Sequence, residues 1–247
     1  MTTIQSFDES GLQIKSFLMI GQSNMAGRGD ISDVDAIKNP LCYMLRMGRW
    51  QPMSEPINPD RSIFTSKFRS GISLAASFAD EFTKAYSLPV GLIPCADGGT
   101  KISEWMPGEL LFDHAVMMAR LAMRTSTLCG IICHHGESDC TDSDLPEYKN
   151  KFLIFAKELR RELGAENLPL IIGEISEDIS PKWKLGDNPP KMNTILAELA
   201  SEIPFCSLVS SHGLTLKNDG VHFDSASCRE LGKRYFKKYS ELVRGEL

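Results

Sequence analysis

The sequence predicts a doubly wound α/β fold: a mainly parallel sheet of five to six strands with helices on both faces. Two observations support this class. Short apolar runs, typical of strands buried on both faces, alternate along the chain with longer stretches that have the i, i+3, i+4 apolar spacing of helices. In addition, a chain of 247 residues with 42% hydrophobic content can bury one sizeable core, which favours a single domain over residues 1–247.

The predicted strands and helices follow one another in repetition. Strands are predicted at residues 17–20, 90–94, 130–133, 170–175 and 205–209, with 41–45 as the candidate for a sixth. Helices are predicted at residues 72–86, 110–126, 147–163, 192–203 and 225–239. Such alternation implies a parallel sheet covered on both sides, whose functional sites lie at the carboxyl ends of the strands.

A glycine-rich motif with a central serine follows the first predicted strand, in the order Gly21-Gln22-Ser23-Asn24-Met25-Ala26-Gly27. The serine stands where a strand opens into solvent. Its flanking glycines permit positive φ, and the backbone N–H groups after the serine could face a developing negative charge. The motif therefore suits a nucleophile with its own oxyanion donor. Taken alone, however, it reads more simply as a glycine-rich turn.

A second motif near the C-terminus, Asp219-Gly220-Val221-His222, places a carboxylate three residues before a histidine. On a glycine-containing turn, Asp219 can fold back onto one imidazole nitrogen and leave the other free to take a proton from a serine. A capping or core role for His222, with Asp219 as a turn residue, is the alternative. Asp-x-x-His by itself is a weak signal.

Four segments together resemble the SGNH hydrolases, and in particular the carbohydrate esterases grouped with sialate O-acetylesterases and acetylxylan-esterase-like proteins. The segments are residues 21–27, 94–105, 135–139 and 219–222, in the order that the family has. The resemblance spans nearly the whole chain. It implies one SGNH-hydrolase-like domain with a flavodoxin-like three-layer sandwich.

The resemblance also implies roles for individual residues. Ser23, Asp219 and His222 would form the catalytic triad. The oxyanion hole would use the amide of Ser23 and that of Gly98 or Gly99, two glycines that directly follow a predicted strand. Further residues are expected near the site: Gln22, Asn24 and Glu137 in support, and His134 and Trp105 against the substrate. The alternatives are purely structural roles: Glu137 as a buried, hydrogen-bonded loop carboxylate and Trp105 as a packing residue.

His135 is the main departure from the family pattern, because relatives usually have a glutamine there that is assigned as the third oxyanion donor. An imidazole N–H can donate as an amide does, but its reach and its protonation differ. Loss of one such donor typically raises the barrier by about 2.7 to 4 kcal/mol. We therefore expect either adequate replacement by His135 or reduced turnover.

Charge and cysteine usage narrow the class of protein. The net charge is -5 and the isoelectric point is near 5.6, without a basic block, which argues against nucleic acid or an anionic membrane as the main partner. The seven cysteines form no Cys-x-x-Cys pair and are predicted to be buried thiols in a reducing compartment. With a polar N-terminal segment and no long apolar stretch, the protein is predicted to be cytoplasmic.

The sequence has no strong signal for a metal or a cofactor. Asp139, Asp142 and Asp144 form an acidic cluster, but its spacing lacks the glycine and terminal glutamate of a calcium loop, so a solvated loop is expected. The predicted chemistry requires no metal and no organic cofactor. A cysteine nucleophile has little support, since only Cys133 has a histidine beside it.

Two connections are predicted to be irregular. The connection between the first strand and residue 72 is broken by prolines within residues 49–60 and is expected to form a wall or lid. Its rings Trp50, Phe64 and Phe68 would pack it down or, less simply, offer a sugar platform. The second connection, residues 176–190, carries Trp183 and two adjacent prolines.

The function predicted from the sequence is a serine esterase that removes short acyl groups, mainly O-acetyl, from a small or oligomeric carbohydrate through an acyl-enzyme. Two alternatives remain open. One is an SGNH hydrolase that cleaves lipids or thioesters, and the other is a catalytically impaired homologue that only binds carbohydrate. The sequence makes no prediction of the oligomeric state.

Overall fold

The computed structural model describes residues 13–59 and 69–244. Its strands are β1 Ile14–Gly21, β2 Cys42–Arg46, β3 Arg49–Pro52, β4 Val90–Pro94, β5 Ser126–His134, β6 Leu170–Gly173 and β7 Cys206–Val209. Its main helices are α1 Leu74–Tyr86, α2 Leu110–Ala122, α3 Leu145–Glu162, α4 Asn188–Glu202 and α5 Ser225–Leu242.

The strands form one seven-stranded sheet in the order β3-β2-β4-β1-β5-β6-β7. All neighbouring strands run parallel except β2 and β3, which form an antiparallel hairpin at one edge. Strand β1 lies at the centre between β4 and β5. The strand order reverses there, so the carboxyl end of β1 is the position where a doubly wound sheet opens a crevice.

Helices cover both faces of the sheet, as predicted. On β1, Leu18 and Ile20 pack into the core shared with α2, α3 and α4, whereas Phe17 and Met19 pack into the core shared with α1 and α5. This alternation follows from the two-residue period of a strand. Because both sets of side chains are apolar and fully buried, β1 can only be a central strand.

The edge hairpin corrects the predicted strand count, because β3 brings the sheet to seven strands. An irregular wall was predicted to include residues 49–52, but these residues pair with β2, and Pro52 is tolerated as the last residue of an edge strand. Trp50 is 3% exposed, and a methyl group on Gly91 would lie 2.4 Å from its ring. Trp50 is therefore a packing residue. Phe64 and Phe68 lie outside the described residues.

The cysteines agree with the prediction in the main. All seven are free thiols; five are buried, while Cys129 and Cys206 are partly exposed. Among residues 13–59 and 69–244, no helix is both long and apolar enough to cross a bilayer. The N-terminal segment on which the cytoplasmic prediction partly rests lies, up to residue 12, outside the described residues.

Candidate active site

The motif segments meet at the carboxyl edge of the sheet. In the parallel register, Gly21 at the end of β1 lies opposite His134 at the end of β5. The backbone N–H of Gln22 donates to the carbonyl of His134 at 3.1 Å, and the N–H of Asp97 donates to the carbonyl of Gly21 at 2.9 Å. Direct backbone hydrogen bonds around β1 therefore join segments that are 76 and 112 residues apart in sequence.

Close approach of the backbone explains the glycine before the serine. Gly21 has φ of +125°, and a methyl group built on it would lie 2.1 Å from the carbonyl oxygen of His134. A side chain there is excluded both by the space and by the backbone conformation. The chain turns sharply at this point and enters a single helical turn, Ser23–Ala26, with Ser23 as its first residue.

Ser23, His222 and Asp219 form one hydrogen-bonded chain. The Oγ of Ser23 lies 2.9 Å from Nε2 of His222, and Nδ1 of His222 lies 2.9 Å from Oδ2 of Asp219. The two ring nitrogens thus have different partners. The geometry allows His222 to accept a proton from Ser23 while Asp219 holds the tautomer that leaves Nε2 free.

The backbone of the same loop fixes the carboxylate of Asp219. Its Oδ1 accepts hydrogen bonds from the N–H groups of Val221 at 3.1 Å and His222 at 3.0 Å. Burial raises the pKa of Asp219, but the backbone N–H and the ring of His222, together with the N–H of Val221, outweigh it and hold the pKa below its ordinary value. Asp219 is therefore a charged acceptor at neutral pH.

Asn24 joins the serine turn to the histidine loop. Its Oδ1 accepts from the N–H of Phe223 at 3.1 Å, and its Nδ2 donates to the carbonyl of Val221 at 3.2 Å. The side-chain amide therefore binds the backbone on either side of His222, and we call this pair of hydrogen bonds the Asn24 clamp. The same Nδ2 also donates to Oε1 of Glu137.

Glu137 is buried beneath this clamp. Burial raises the pKa of Glu137. The ring of His134 and the amide of Asn24 lower the pKa by more than burial raises it, so that it falls to about 2. Glu137 is thus a charged residue at neutral pH, although it is only 6% exposed. Its carboxylate accepts from the side-chain amide of Asn24 and so holds that amide in place.

Gln22 supports the third motif. Its Oε1 faces the backbone N–H groups of Gly136 and Ser138, at 3.5 and 3.4 Å. The side chain bridges the end of β1 and the loop after β5, so it fixes the floor of the crevice.

The two candidate oxyanion glycines have different surroundings. A methyl group on Gly98 would lie 3.5 Å from Cβ of Ser23 and 2.3 Å from Nη2 of Arg28, whereas one on Gly99 would meet no atom within 4 Å. Gly98 is therefore the glycine that lies against the serine. The half-buried Arg28 beside it was not singled out from the sequence, and its position directly after the first motif was the only available signal.

His135 is buried behind the site. Its Nδ1 lies 3.3 Å from the hydroxyl of Tyr148, and that hydroxyl donates to the carbonyl of His135 at 3.1 Å. When this hydroxyl donates to the carbonyl, Nδ1 of His135 carries the ring proton and donates to it, and Nε2 carries none. Burial lowers the pKa of His135 to about 4, although the charge of Glu137 acts in the opposite direction, so the ring is neutral at pH 7.

The substrate contacts predicted for His134 and Trp105 need correction, because both side chains are covered by the protein. His134 is 0% exposed and its Nδ1 lies 3.0 Å from the hydroxyl of Tyr235, on α5. Trp105 is 1% exposed and donates through Nε1 to Thr100 at 3.1 Å. Helices that follow later in the chain pack over these rings, which sequence position alone does not reveal.

Of the acidic cluster predicted as a solvated loop, Asp142 is exposed and Asp144 is partly exposed, but Asp139 is buried. Asp139 is 2% exposed, and both carboxylate oxygens accept from the N–H of Ile102, at 3.1 and 3.0 Å. Burial raises its pKa to about 7, partly opposed by that N–H. Asp144 instead pairs with Lys101 at 2.7 Å. In residues 13–59 and 69–244, no group of three or more His, Cys, Asp or Glu side chains could hold a metal ion.

Comparison with known proteins identifies the family of this chain. The profile of the family described as "Carbohydrate esterase, sialic acid-specific acetylesterase" matches residues 13–241. A protein of Arabidopsis thaliana named "Probable carbohydrate esterase" is 31% identical over 242 residues, covering 87% of this chain and 86% of its own.

Solved structures share the fold. The crystal structure of the same Arabidopsis protein superposes with a TM-score of 0.80 at 25% identity, covering 93% of this chain and 98% of its own. NanS superposes with a TM-score of 0.75 at 15% identity, covering 94% and 98%. A carbohydrate acetylesterase from Xanthomonas citri superposes with a TM-score of 0.64 at 19% identity, covering 94% and 57%.

The fold and the residues gathered at its carboxyl edge define a carboxylic ester hydrolase of the SGNH class. Within that class, the chain belongs to the carbohydrate esterase family described as sialic acid-specific acetylesterase.

Proposed function

We propose that this protein is a serine esterase that removes O-acetyl groups from a carbohydrate through a covalent acyl-enzyme. The observation that carries the proposal is the continuous chain from Ser23 Oγ through His222 to Asp219, with both hydrogen bonds at 2.9 Å. A hydroxyl bonded to an imidazole, whose other nitrogen is held by a carboxylate, is the arrangement that turns a weak nucleophile into an effective one.

In the first half-reaction, Ser23 Oγ attacks the ester carbonyl carbon while His222 Nε2 takes the hydroxyl proton. The negative charge that develops on the carbonyl oxygen is received by backbone N–H groups, which we assign to Ser23 and Gly98 rather than Gly99. The position of Gly98 against the side chain of Ser23 supports this choice. Collapse of the intermediate breaks the bond to the sugar oxygen, which leaves with the proton from His222.

In the second half-reaction, His222 removes a proton from water, and the resulting hydroxide attacks the acetyl carbonyl. The second tetrahedral intermediate releases acetate and restores the Ser23 hydroxyl with the proton held by His222. Asp219 stays ionised throughout, since its lowered pKa keeps it a carboxylate next to the imidazolium that forms in each half-reaction.

The acetyl group and the sugar are supported by family membership, because the profile that matches residues 13–241 describes acetylesterases acting on sialic acid. We therefore take 9-O-acetyl-N-acetylneuraminic acid as the first substrate to assay. Acetylated xylose is the second, and p-nitrophenyl esters of increasing chain length test the lipid-hydrolase alternative. A clear optimum at long acyl chains would reject the acetyl assignment.

The nucleophile is tested by Ser23→Ala, which we expect to lower kcat/KM by at least about 10⁴-fold. Ser201→Ala, on the exposed side of α4, is the matched control and keeps full activity. Acid quenching during turnover of p-nitrophenyl acetate should trap the acyl-enzyme, and mass spectrometry should then find one acetyl group on the peptide that contains Ser23. Equal hydrolysis by the wild type and Ser23→Ala, combined with retained glycan binding, would instead favour the binding homologue.

A further inference from the structure

The three tryptophans of this chain have very different exposures. Trp50 is 3% exposed and Trp105 is 1% exposed, so both rings serve the core, whereas Trp183 is 46% exposed. Trp183 lies in the connection between β6 and α4, on a short helical turn, Pro181–Trp183. The contacts of Trp183 show what holds this exposed ring in place.

The turn is tied to the loop of the catalytic aspartate by three hydrogen bonds. The N–H of Ser180 donates to the carbonyl of Gly220 at 2.8 Å, and Nζ of Lys182 donates to the carbonyl of Asn218 at 3.1 Å. The indole N–H of Trp183 itself donates to the carbonyl of Asp219 at 2.9 Å. The polar edge of the ring is therefore held against the residue whose carboxylate binds His222.

Packing fixes the same contact. Gly220 has φ of +65°, and a methyl group on it would lie 2.4 Å from Cβ of Ser180, so the two segments touch without space for a side chain. On either side of the turn, Ile179 is buried and Leu185 packs against the core. Trp183 is thus held at its edge and by its own backbone, while its ring stays open to solvent.

We propose that Trp183 is the platform on which the ring of the acetylated sugar stacks beside the triad, and that it makes the enzyme prefer sugar esters over simple ones. The proposal rests on the esterase function proposed above. The face of an indole matches the C–H face of a pyranose, and an indole whose N–H is already bonded presents only that apolar face. Of the candidate platforms, Trp183 replaces Trp105, which the protein covers.

A positioning role through Asp219 is the competing explanation, and two variants separate it from stacking. Trp183→Phe and Trp183→Ala both lose the N–H bond to Asp219, but only Trp183→Phe keeps an aromatic face. Hydrolysis is followed by pH-stat with xylose tetraacetate or 9-O-acetyl-N-acetylneuraminic acid as the sugar ester, and with ethyl acetate as an ester that has no ring.

We expect Trp183→Ala to have about tenfold lower kcat/KM than Trp183→Phe on the sugar esters, mainly through KM, and the two variants to agree within about twofold on ethyl acetate. Lys182→Ala, which loosens the turn but keeps the ring, should retain the preference for sugar esters. Equal losses of Trp183→Ala and Trp183→Phe on both kinds of ester, or no loss on the sugar esters, would overturn the platform.

A binding measurement keeps this test separate from the proposed function. In the Ser23→Ala background, titration with N-acetylneuraminic acid or xylobiose should change the intrinsic fluorescence, because Trp183 is the exposed indole of the three. Replacing Trp183 by Phe should abolish the change, and glycerol at equal concentration should cause none. A wild type that hydrolyses neither ester would defeat the esterase proposal, whereas a fluorescence response to neither sugar would defeat the platform.

Discussion

Asn24→Ala is the substitution that tests the architecture of the site most directly. It deletes the hydrogen bonds of Asn24 to Phe223 and Val221, on either side of His222, and the one to the buried carboxylate of Glu137. A hydrogen bond to a charged group contributes about 1.5–3 kcal/mol and a neutral one about 0.5–1.5 kcal/mol. We therefore expect the free energy of unfolding to fall by about 3–5 kcal/mol, a large part of the stability of a typical domain.

The activity should fall as well, for a geometric reason. Without Asn24, the backbone around His222 loses the bonds that set its distance from the Ser23 turn, and a displacement of about 1 Å can cost about 10²-fold in rate. The assay is kcat/KM on p-nitrophenyl acetate at a temperature where the variant remains folded, together with urea unfolding followed by circular dichroism.

Asn193→Ala is the matched control. Asn193 is also buried, accepts from the N–H of Ile175 at 3.0 Å, and donates to the carbonyl of Ile175 and to Glu177. Its bonds resemble those of Asn24 but hold a different loop, so this variant should lose stability and keep more than half of its kcat/KM. A stability loss under 1 kcal/mol for Asn24→Ala, or equal activity losses for both variants, would refute the clamp.

The deficit of Asn24→Ala should also depend on pH. Glu137 has a pKa lowered to about 2 in the folded protein, so its contribution to stability is present above its ordinary pKa and is lost as the pH falls through the folded value. Loss of the Asn24 bond weakens that contribution. The deficit measured at pH 7 should therefore shrink as the pH is lowered toward 3, and a constant deficit would contradict the assignment.

Three further predictions follow from the same geometry. Burial raises the pKa of Asp139 to about 7, so the folded protein loses stability as the pH rises from the ordinary aspartate pKa through that value. In urea unfolding, Asp139→Asn should therefore have a free energy of unfolding on the order of 2 kcal/mol above that of the wild type at pH 8, and it should lose this advantage near pH 5. Gly21→Ala, whose methyl group would lie 2.1 Å from a backbone oxygen, should cost at least about 3 kcal/mol in thermal or urea unfolding, whereas Gly186→Ala, in open space at φ of +57°, should cost about 1 kcal/mol. His135→Ala should lower kcat by less than about tenfold, because the ring is 3% exposed and its Nδ1 already faces the hydroxyl of Tyr148; a loss of about 10²–10³, typical of an oxyanion donor, would show that the ring donates.

Much of the fold could be predicted because its signals are local. Residues 17–20 read as a central strand from their continuous apolar side chains, and they form the buried middle of β1. The edge strand β3 was missed because a four-residue run ending in proline resembles a loop until its partner β2 is known. Pairing partners are a property of the folded chain, and short edge strands depend on them most.

Part of the candidate site was predictable for a similar reason. Ser23 and the Asp219–His222 pair each sit in a short motif whose glycines and spacing are visible in sequence. Their distance from each other is not, since 199 positions separate the hydroxyl of Ser23 from the imidazole that lies 2.9 Å away. Asn24 holds the two motifs together through hydrogen bonds to the backbone of Val221 and Phe223, and no sequence pattern predicts these bonds.

The alternation of strands and helices and the residue types at the strand ends could be predicted from the sequence, because hydrophobic period and backbone freedom act over a few neighbouring residues. Which rings face solvent, in contrast, depends on the packing of the folded chain. His134 and Trp105 stand in the motifs but are covered by residues from distant helices, whereas Trp183, in a loop with no motif, stays open beside the triad. The burial of a side chain depends on which distant segments of the chain pack against it, and the sequence around that side chain does not predict this packing.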